Sequence, residues 1–124
     1  MKNLIFGENL KEHSNVTLLC DDFLTYNFDE KFDVIYSSLT FMHIENKETA
    51  IQKVAKLLNS GGRFVLSIDK NQSNFIDFGN RKIEIFPDNP DNISAILEKV
   101  NLKIVSKLEA EFAFIFVAEK NILQ

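Results

Sequence analysis

The chain has 124 residues and a formal net charge of −4, which excludes a protein that binds nucleic acid mainly through electrostatic attraction. Hydrophobic residues make up 45% and charged residues 26%, so disorder is excluded and residues 1–124 are predicted to form one domain. The single cysteine and the lack of a secretory signal predict a cytoplasmic protein. The longest apolar run, Phe112 to Ala118, is too short to cross a membrane.

Two short apolar runs in the first third of the chain predict β-strands. They span Val16 to Cys20 and Phe32 to Tyr36, and polar pairs follow them at Asp21-Asp22 and Ser37-Ser38. The first fifteen residues fit no clear element, and Gly7 interrupts any helix there.

The clearest helix is predicted from Lys47 to Leu58, where apolar residues recur at helical spacing and Asn46 is a suitable cap. Gly61-Gly62 is interpreted as the signal that ends this helix. Arg63 to Ile68 then forms a strand that is apolar on both faces, as in a sheet covered by helices.

A long polar connection from Asp69 to Asn89 follows, in which Ile83 to Phe86 can form a short extended piece. Asn89-Pro90 opens a second helix. Leu102 to Leu108 and Phe112 to Ala118 are predicted strands, and only three residues separate them, so they form an antiparallel hairpin. Together these elements predict an α/β fold whose early strands are parallel.

Ligands of an open α/β sheet bind beyond the carboxyl ends of its strands, so the residues that follow Cys20, Tyr36 and Ile68 are the informative ones. A carboxylate beside a free backbone N–H can hold an adenine edge, because the carboxylate accepts from the exocyclic amine while the N–H donates to a ring nitrogen. Asp22 with the amide of Phe23 is suited to this role.

Three stretches together resemble the class I S-adenosylmethionine-dependent methyltransferases: Val16 to Phe23, Phe32 to Ile44 and Ala55 to Ile68. The resemblance implies a Rossmann-like sheet in which the predicted strands are the third, fourth and fifth of the family, followed by the sixth and seventh as the hairpin. It implies S-adenosylmethionine as cofactor and a methyl acceptor that is expected to be a small molecule.

The resemblance also assigns site residues by position. The cofactor-binding set is Asp22, Phe23, Ser37, Ser38 and Leu39. The set facing the acceptor is Thr40, Phe41, His43 and Arg81, with His43 as the candidate general base. The alternative interpretation of His43 is a partly exposed loop residue, and that of Arg81 is an ordinary surface arginine. No metal site is expected, because two histidines and one cysteine lack ligand spacing.

The chain departs from the family at its beginning, where no G-x-G turn and no second strand ending in an acid are found. Two missing central strands would leave a gap of roughly 14 Å in the sheet. The strand around Leu18 must then pair beside Ile35, across a homodimer, or with a complementing fragment.

The sequence leaves three alternative hypotheses for the function. The first is the carboxyl-terminal portion of a methyltransferase, inactive as an isolated chain because the glycine loop is absent. The second is a non-catalytic dimerising or partner-completing module. The third is a receiver-like signalling domain, which is disfavoured because Ser37-Ser38 stands where that fold needs a phosphate-accepting aspartate.

Overall fold

The computed structural model describes residues 3–7, 16–19, 23–24, 27–39, 41–77 and 79–121. The strands are β1 (Asn3–Gly7), β2 (Val16–Leu19), β3 (Phe32–Ser38), β4 (Leu58–Asp69), β5 (Phe75–Asp77), β6 (Lys82–Glu84), β7 (Leu102–Glu109) and β8 (Ala113–Lys120). The helices are α1 (Lys47–Leu57) and α2 (Pro90–Lys99), and a 3-10 turn covers Phe41–His43.

The main sheet has six strands in the order β2-β1-β3-β4-β8-β7. The first four of these run parallel, whereas β8 is antiparallel to β4 and β7 is antiparallel to β8. The predicted α/β fold with early parallel strands and a closing antiparallel hairpin is therefore confirmed.

The first residues of the chain form the strand that joins the two parts of the sheet. In β1, Leu4 lies opposite Ile35 of β3, and Ile5 lies opposite Leu18 of β2. The expected gap between the strands around Leu18 and Ile35 is thus not present in this chain, and β2 pairs with β1 instead of lying beside Ile35. A strand of only five residues, ending in glycine, carries too little pattern to be predicted.

The glycine pair has a different role from the one predicted. Helix α1 ends at Leu57, and Leu58 is already extended, with φ −82° and ψ 136°. Pairing of β3 with β4 jumps from Phe32–Leu58 to Val34–Arg63, so residues 59–62 form a bulge. Gly61 has φ 78°, and a Cβ on Gly62 would lie 2.8 Å from the Asn59 carbonyl oxygen. The glycines therefore permit the bulge, and helix α1 ends before them.

Both helices begin at the predicted caps. The side chain of Asn46 accepts a hydrogen bond from the Thr49 N–H at 3.1 Å, and that of Asn89 accepts one from the Asp91 N–H at 2.9 Å. Asparagine at this position satisfies N–H groups that a helix leaves unpaired at its start. Neither described helix is long and apolar enough to span a bilayer.

One hydrophobic core contains both helices and one face of the sheet. Its fully buried members include Ile35, Phe64, Leu66 and Phe116 from the sheet, with Ala50, Ile51, Val54, Ile93 and Leu97 from the helices. The apolar sides predicted for the two helices therefore pack against this face of the sheet.

The connection between β4 and α2 contains a separate two-stranded sheet of β5 and β6. Ile76 lies opposite Ile83 in this antiparallel pair. The predicted extended piece from Ile83 to Phe86 overlaps β6, while its partner β5 lies in a segment predicted as irregular, because three residues are too few to show alternation.

The bulge generates a prediction about Gly62. In Gly62→Ala the added methyl group meets two backbone carbonyl oxygens, at 2.8 and 3.0 Å, and should lower the free energy of unfolding by at least about 2 kcal/mol. The matched control is Gly79→Ala, where φ is 77° but no atom lies within 4 Å, so only about 1 kcal/mol should be lost to backbone strain. Urea unfolding of both variants measures the difference, and an equal or smaller loss at Gly62 would contradict the packing described.

Candidate functional site

The carboxyl ends of three adjacent parallel strands lie side by side. Gly7 of β1 is level with Ser38 of β3, and Ser38 is level with Ser67 of β4. Parallel strands present their ligand-binding edge at this end. Small and polar residues therefore meet at the edge where the sequence predicted a ligand, and we call Gly7, Ser38 and Ser67 the carboxyl edge.

Leu39, directly after β3, has an unusual backbone conformation at this edge. Its φ is 53°, in the left-handed region, and its N–H donates to the Ser67 carbonyl oxygen at 3.0 Å. The side chain is 40% exposed. A leucine pays a steric cost for this conformation, and such residues concentrate at ligand sites. The hydrogen bond to β4 holds the turn with the Leu39 side chain at the surface.

Ser37 and Ser38 differ in what they can offer a ligand. Ser37 is fully buried, and its neighbour in the strand points to the opposite face. Ser38 is half-buried at the carboxyl edge. Of these two predicted cofactor residues, Ser38 is therefore the one whose side chain a ligand can reach.

Asp22, the predicted adenine ligand, lies outside the described residues. Its neighbour Phe23 is 5% exposed, and its ring packs 5.7 Å from that of Phe28. The ammonium of Lys53 lies 5.1 Å from the Phe23 ring centroid and donates to the Phe23 carbonyl oxygen at 2.5 Å. The Phe23 ring is thus part of the core, and helix α1 fixes the backbone at the point where the adenine contact is predicted.

The four predicted acceptor residues are only partly brought together. Thr40 lies outside the described residues, and Phe41 is fully buried with its ring 6.1 Å from that of Phe64. His43 is exposed in the 3-10 turn, and Arg81 is exposed between β5 and β6. No described contact joins His43 to Arg81. Of these two residues, His43 is the nearer in sequence to the end of β3.

A buried ion pair that the sequence did not predict lies behind this turn. The Lys47 ammonium is 2.6 Å from Asp88 Oδ1, and the two side chains are 9% and 1% exposed. The same ammonium donates to the carbonyl oxygens of Phe41 at 2.8 Å, Ile44 at 3.0 Å and Phe86 at 2.8 Å. Lys47 therefore ties the 3-10 turn and the start of α1 to the segment before α2.

Burial raises the pKa of the Asp88 carboxyl above its ordinary value of 3.8, while the hydrogen bond and positive charge of Lys47 act to lower it. The negative charge of Asp69, at the end of β4, adds to the increase. One sequence signal pointed to this pair: a lysine in the first turn of a helix opposes the helix dipole, so it needs a compensating partner.

Glu8 follows β1 directly in the sequence and lies outside the described residues. No strand was predicted among the first fifteen residues, so no acid at a strand end was expected there. With β1 in the sheet, two adjacent strands, β1 and β2, are each followed by acidic residues, Glu8 after the first and Asp21-Asp22 shortly after the second.

An open groove of about 850 Å³ lies beside the 3-10 turn. It runs between the start of α1 and the segment that follows β6, and Lys47, Asn74, Glu84 and Phe86 are among its lining residues. A space of this volume can hold a small molecule. None of the predicted site residues lines it.

Comparison with known proteins identifies a family. A family model described as a methyltransferase domain matches residues 3–66. Malonyl-[acyl-carrier protein] O-methyltransferase 1 of Ilyobacter polytropus is 29% identical over 68 residues, which are 55% of this chain and 25% of that protein. The matched part of the chain thus spans a quarter of that relative's length.

Solved structures share the fold. A Listeria monocytogenes protein described as an S-adenosylmethionine dependent methyltransferase superposes with a TM-score of 0.75 at 15% identity, over 90% of this chain and 72% of that one. The N-methyltransferase NodS of Bradyrhizobium japonicum WM9, solved with S-adenosyl-L-homocysteine, gives a TM-score of 0.61 at 19% identity, over 87% of this chain and 56% of that one.

The buried pair generates a prediction about stability. Lys47→Met leaves Asp88 buried without its cation and should lower the free energy of unfolding by about 3–5 kcal/mol. The control Lys99→Met breaks the exposed ion pair of Lys99 and Glu48, 2.9 Å long, and should cost no more than about 1 kcal/mol. The double variant Lys47→Met/Asp88→Leu should recover part of the loss. Equal losses for Lys47→Met and Lys99→Met in urea unfolding would contradict the account.

The raised pKa of Asp88 generates a prediction about pH. Its stabilising contribution is fully present below the unfolded-state pKa and is lost as the pH rises through the higher folded-state pKa. Asp88→Asn removes this titration. The free energy of unfolding of the wild type, minus that of Asp88→Asn, should therefore fall as the pH is raised from about 3 to about 7. A difference that stays constant or grows would show that the pKa is not raised.

Proposed function

This chain belongs to the methyltransferase domain family, and on that premise we propose that it binds S-adenosylmethionine at the carboxyl edge and directs its methyl group toward a small-molecule acceptor. The observation that carries the proposal is the arrangement of strand ends. Three parallel strands end side by side, and acids follow two neighbouring strands in the sequence. This is the chemistry that a nucleoside needs, because carboxylates accept from ribose hydroxyls and from the adenine amine.

The adenosine side of the cofactor is assigned to the ends of β1 and β2. Glu8, after β1, is proposed to accept hydrogen bonds from the ribose hydroxyls. Asp22, with the backbone N–H of Phe23, is proposed to hold the adenine edge. Support comes from the Lys53 ammonium, which donates to the Phe23 carbonyl oxygen and so fixes the backbone of the residue whose N–H is proposed to make this contact.

The methionine side is assigned to the end of β3. Ser38 is reachable there, and the left-handed Leu39 presents its side chain to the same edge. Gly7, level with Ser38, lets a ligand approach the β1 backbone closely. The G-x-G turn of the family is absent from the sequence, so we propose that this fit is incomplete, that cofactor binding is weak and that the isolated chain does not turn over.

S-adenosylmethionine supplies a methyl group on a sulfonium, which an acceptor nucleophile displaces directly. Such a step asks the protein mainly for alignment and for exclusion of water. The turn from Leu39 to His43 borders the acceptor in this proposal, and the groove beside it offers room for a small molecule. His43, exposed in the 3-10 turn after β3, is proposed to accept a proton from the acceptor.

A second candidate function is a non-catalytic module that works in an assembly. It is favoured by the absence of a G-x-G turn from the sequence. The two functions differ in one measurable property, since a non-catalytic module has no need to bind the cofactor.

Calorimetric titration with S-adenosylhomocysteine tests the proposal. Because the glycine turn is missing, we expect a dissociation constant of about 0.1 to 1 mM, well above the micromolar range. Glu8→Gln and Asp22→Asn should each weaken binding by about tenfold or more, the loss expected for one charge-assisted hydrogen bond. The control is Glu111→Gln, in the exposed turn between β7 and β8, which should leave binding unchanged.

Three results would count against the proposal. Lack of binding at millimolar ligand favours the non-catalytic module. Binding that neither acid variant weakens places the ligand elsewhere. Micromolar binding by the wild type contradicts the incomplete fit inferred from the missing turn.

A further inference from the structure

The sheet has a second face that no described helix covers. Because side chains alternate along a strand, the register places a set of residues from four adjacent strands on the face opposite the core. We call this set the open face: Val34 and Tyr36 from β3, Arg63 and Val65 from β4, Ile115, Val117 and Glu119 from β8, and Lys103, Ser106 and Leu108 from β7.

Burial confirms that the open face is separate from the core. Both helices pack with the opposite face in one cluster, and no residue of the open face belongs to that cluster or packs against it. Tyr36, in a central strand, is 37% exposed, and Leu108 is 57% exposed. Central parallel strands are usually covered on both faces, so an exposed tyrosine in β3 shows that the described residues leave this part of the sheet uncovered.

The middle of the open face is apolar. Tyr36, Val65 and Val117 lie in one row across three strands, and Ile115 and Leu108 pair in the next row. A continuous apolar surface on a sheet is a typical site of protein association. What covers it must offer an apolar surface of similar shape.

We propose that the open face binds the same face of a second copy of this chain. A twofold axis parallel to the strands, between β4 and β8, makes the two faces complementary. It places Arg63 over Glu119 of the second copy and Val65 over Val117 of the second copy. Within one chain Arg63 Nε is already 3.3 Å from Glu119 Oε2, so the dimer joins two such pairs into a four-charge network.

The area of the open face sets the expected affinity of the dimer. Four strands at ~4.8 Å spacing and five residues at ~3.3 Å rise give roughly 300 Å² of projected area per copy. Two corrugated faces of this size bury on the order of 1,000 Å² of accessible surface, near the lower limit for specific interfaces. The dimer is therefore weak, with a dissociation constant in the micromolar range.

The proposed dimer interface borders the proposed cofactor site. By register Ser38 and Ser67, at the carboxyl edge, lie on the same face of the sheet, in the row that continues into Ile115 and Leu108. Because the axis is parallel to the strands, both carboxyl edges lie at the same end of the dimer. The inference goes beyond the proposed function, and the proposed interface does not involve β2, which pairs with β1.

Sedimentation equilibrium of the full chain over a range of concentrations tests the proposal. The expected mass rises with concentration from the 14.3 kDa of one chain toward twice that value. Val117→Lys puts an ammonium in the middle of the contact and should leave a monomer. Phe112→Lys is the matched control, because Phe112 is 73% exposed in the hairpin turn outside the open face, and it should dimerise like the wild type.

A charge exchange tests the axis and remains informative if Val117→Lys fails to fold. Arg63→Glu alone and Glu119→Arg alone oppose like charges and should each weaken association by about tenfold or more. The double variant Arg63→Glu/Glu119→Arg should restore it to within about threefold of the wild type. A wild type that stays monomeric means that the chain itself or another protein covers the face, and it overturns the proposal. A dimer that Val117→Lys and Arg63→Glu both leave intact overturns it equally.

Discussion

The structure depends on one set of hydrogen bonds, those that β1 makes on both sides. In a parallel sheet an interior strand satisfies its backbone N–H and C=O groups only through its neighbours. Asn3–Gly7 lies between β2 and β3 and so joins Val16–Leu19 to the remaining strands. Without β1, β2 has no neighbour among the described strands.

The geometry of the candidate site depends on the pairing of β1 with its neighbours and on two lysines of α1. Register sets the level of Gly7, Ser38 and Ser67, while Lys53 holds the Phe23 backbone and Lys47 holds the 3-10 turn. Both lysines bind backbone carbonyl oxygens of connecting segments. Helix α1 therefore covers the core and also fixes loops on both sides of β3, which explains why a short chain can keep an ordered edge.

Much of the fold follows from the sequence, because its elements carry local signals. Asn46 and Asn89 cap helices whose apolar stripes are regular, and the short turn between β7 and β8 leaves only an antiparallel pairing. The strand β1 was missed because its identity comes from its neighbours. The role of Gly62 was missed for a similar reason: the atoms that a side chain would meet include the Asp33 carbonyl oxygen, which is distant in sequence.

The site was predictable only in part. Strand ends predicted Ser38, Leu39 and Asp22 as site residues, since position along a strand is visible in the sequence, and the structure describes the first two at the end of β3. The sequence does not show which side chains are buried, and Phe23 and Phe41, both predicted as site residues, are core residues. The Lys47–Asp88 pair joins residues from separate elements, and only the misfit of a lysine with the start of a helix hinted at it.

The position of β1 is tested most directly by nuclear Overhauser effects in the labelled chain. The account predicts cross-strand contacts from the backbone of Leu4 to that of Ile35, together with contacts from Ile5 to Leu18. Contacts that instead join Leu18 directly to Ile35, with none from residues 3–7, would contradict it.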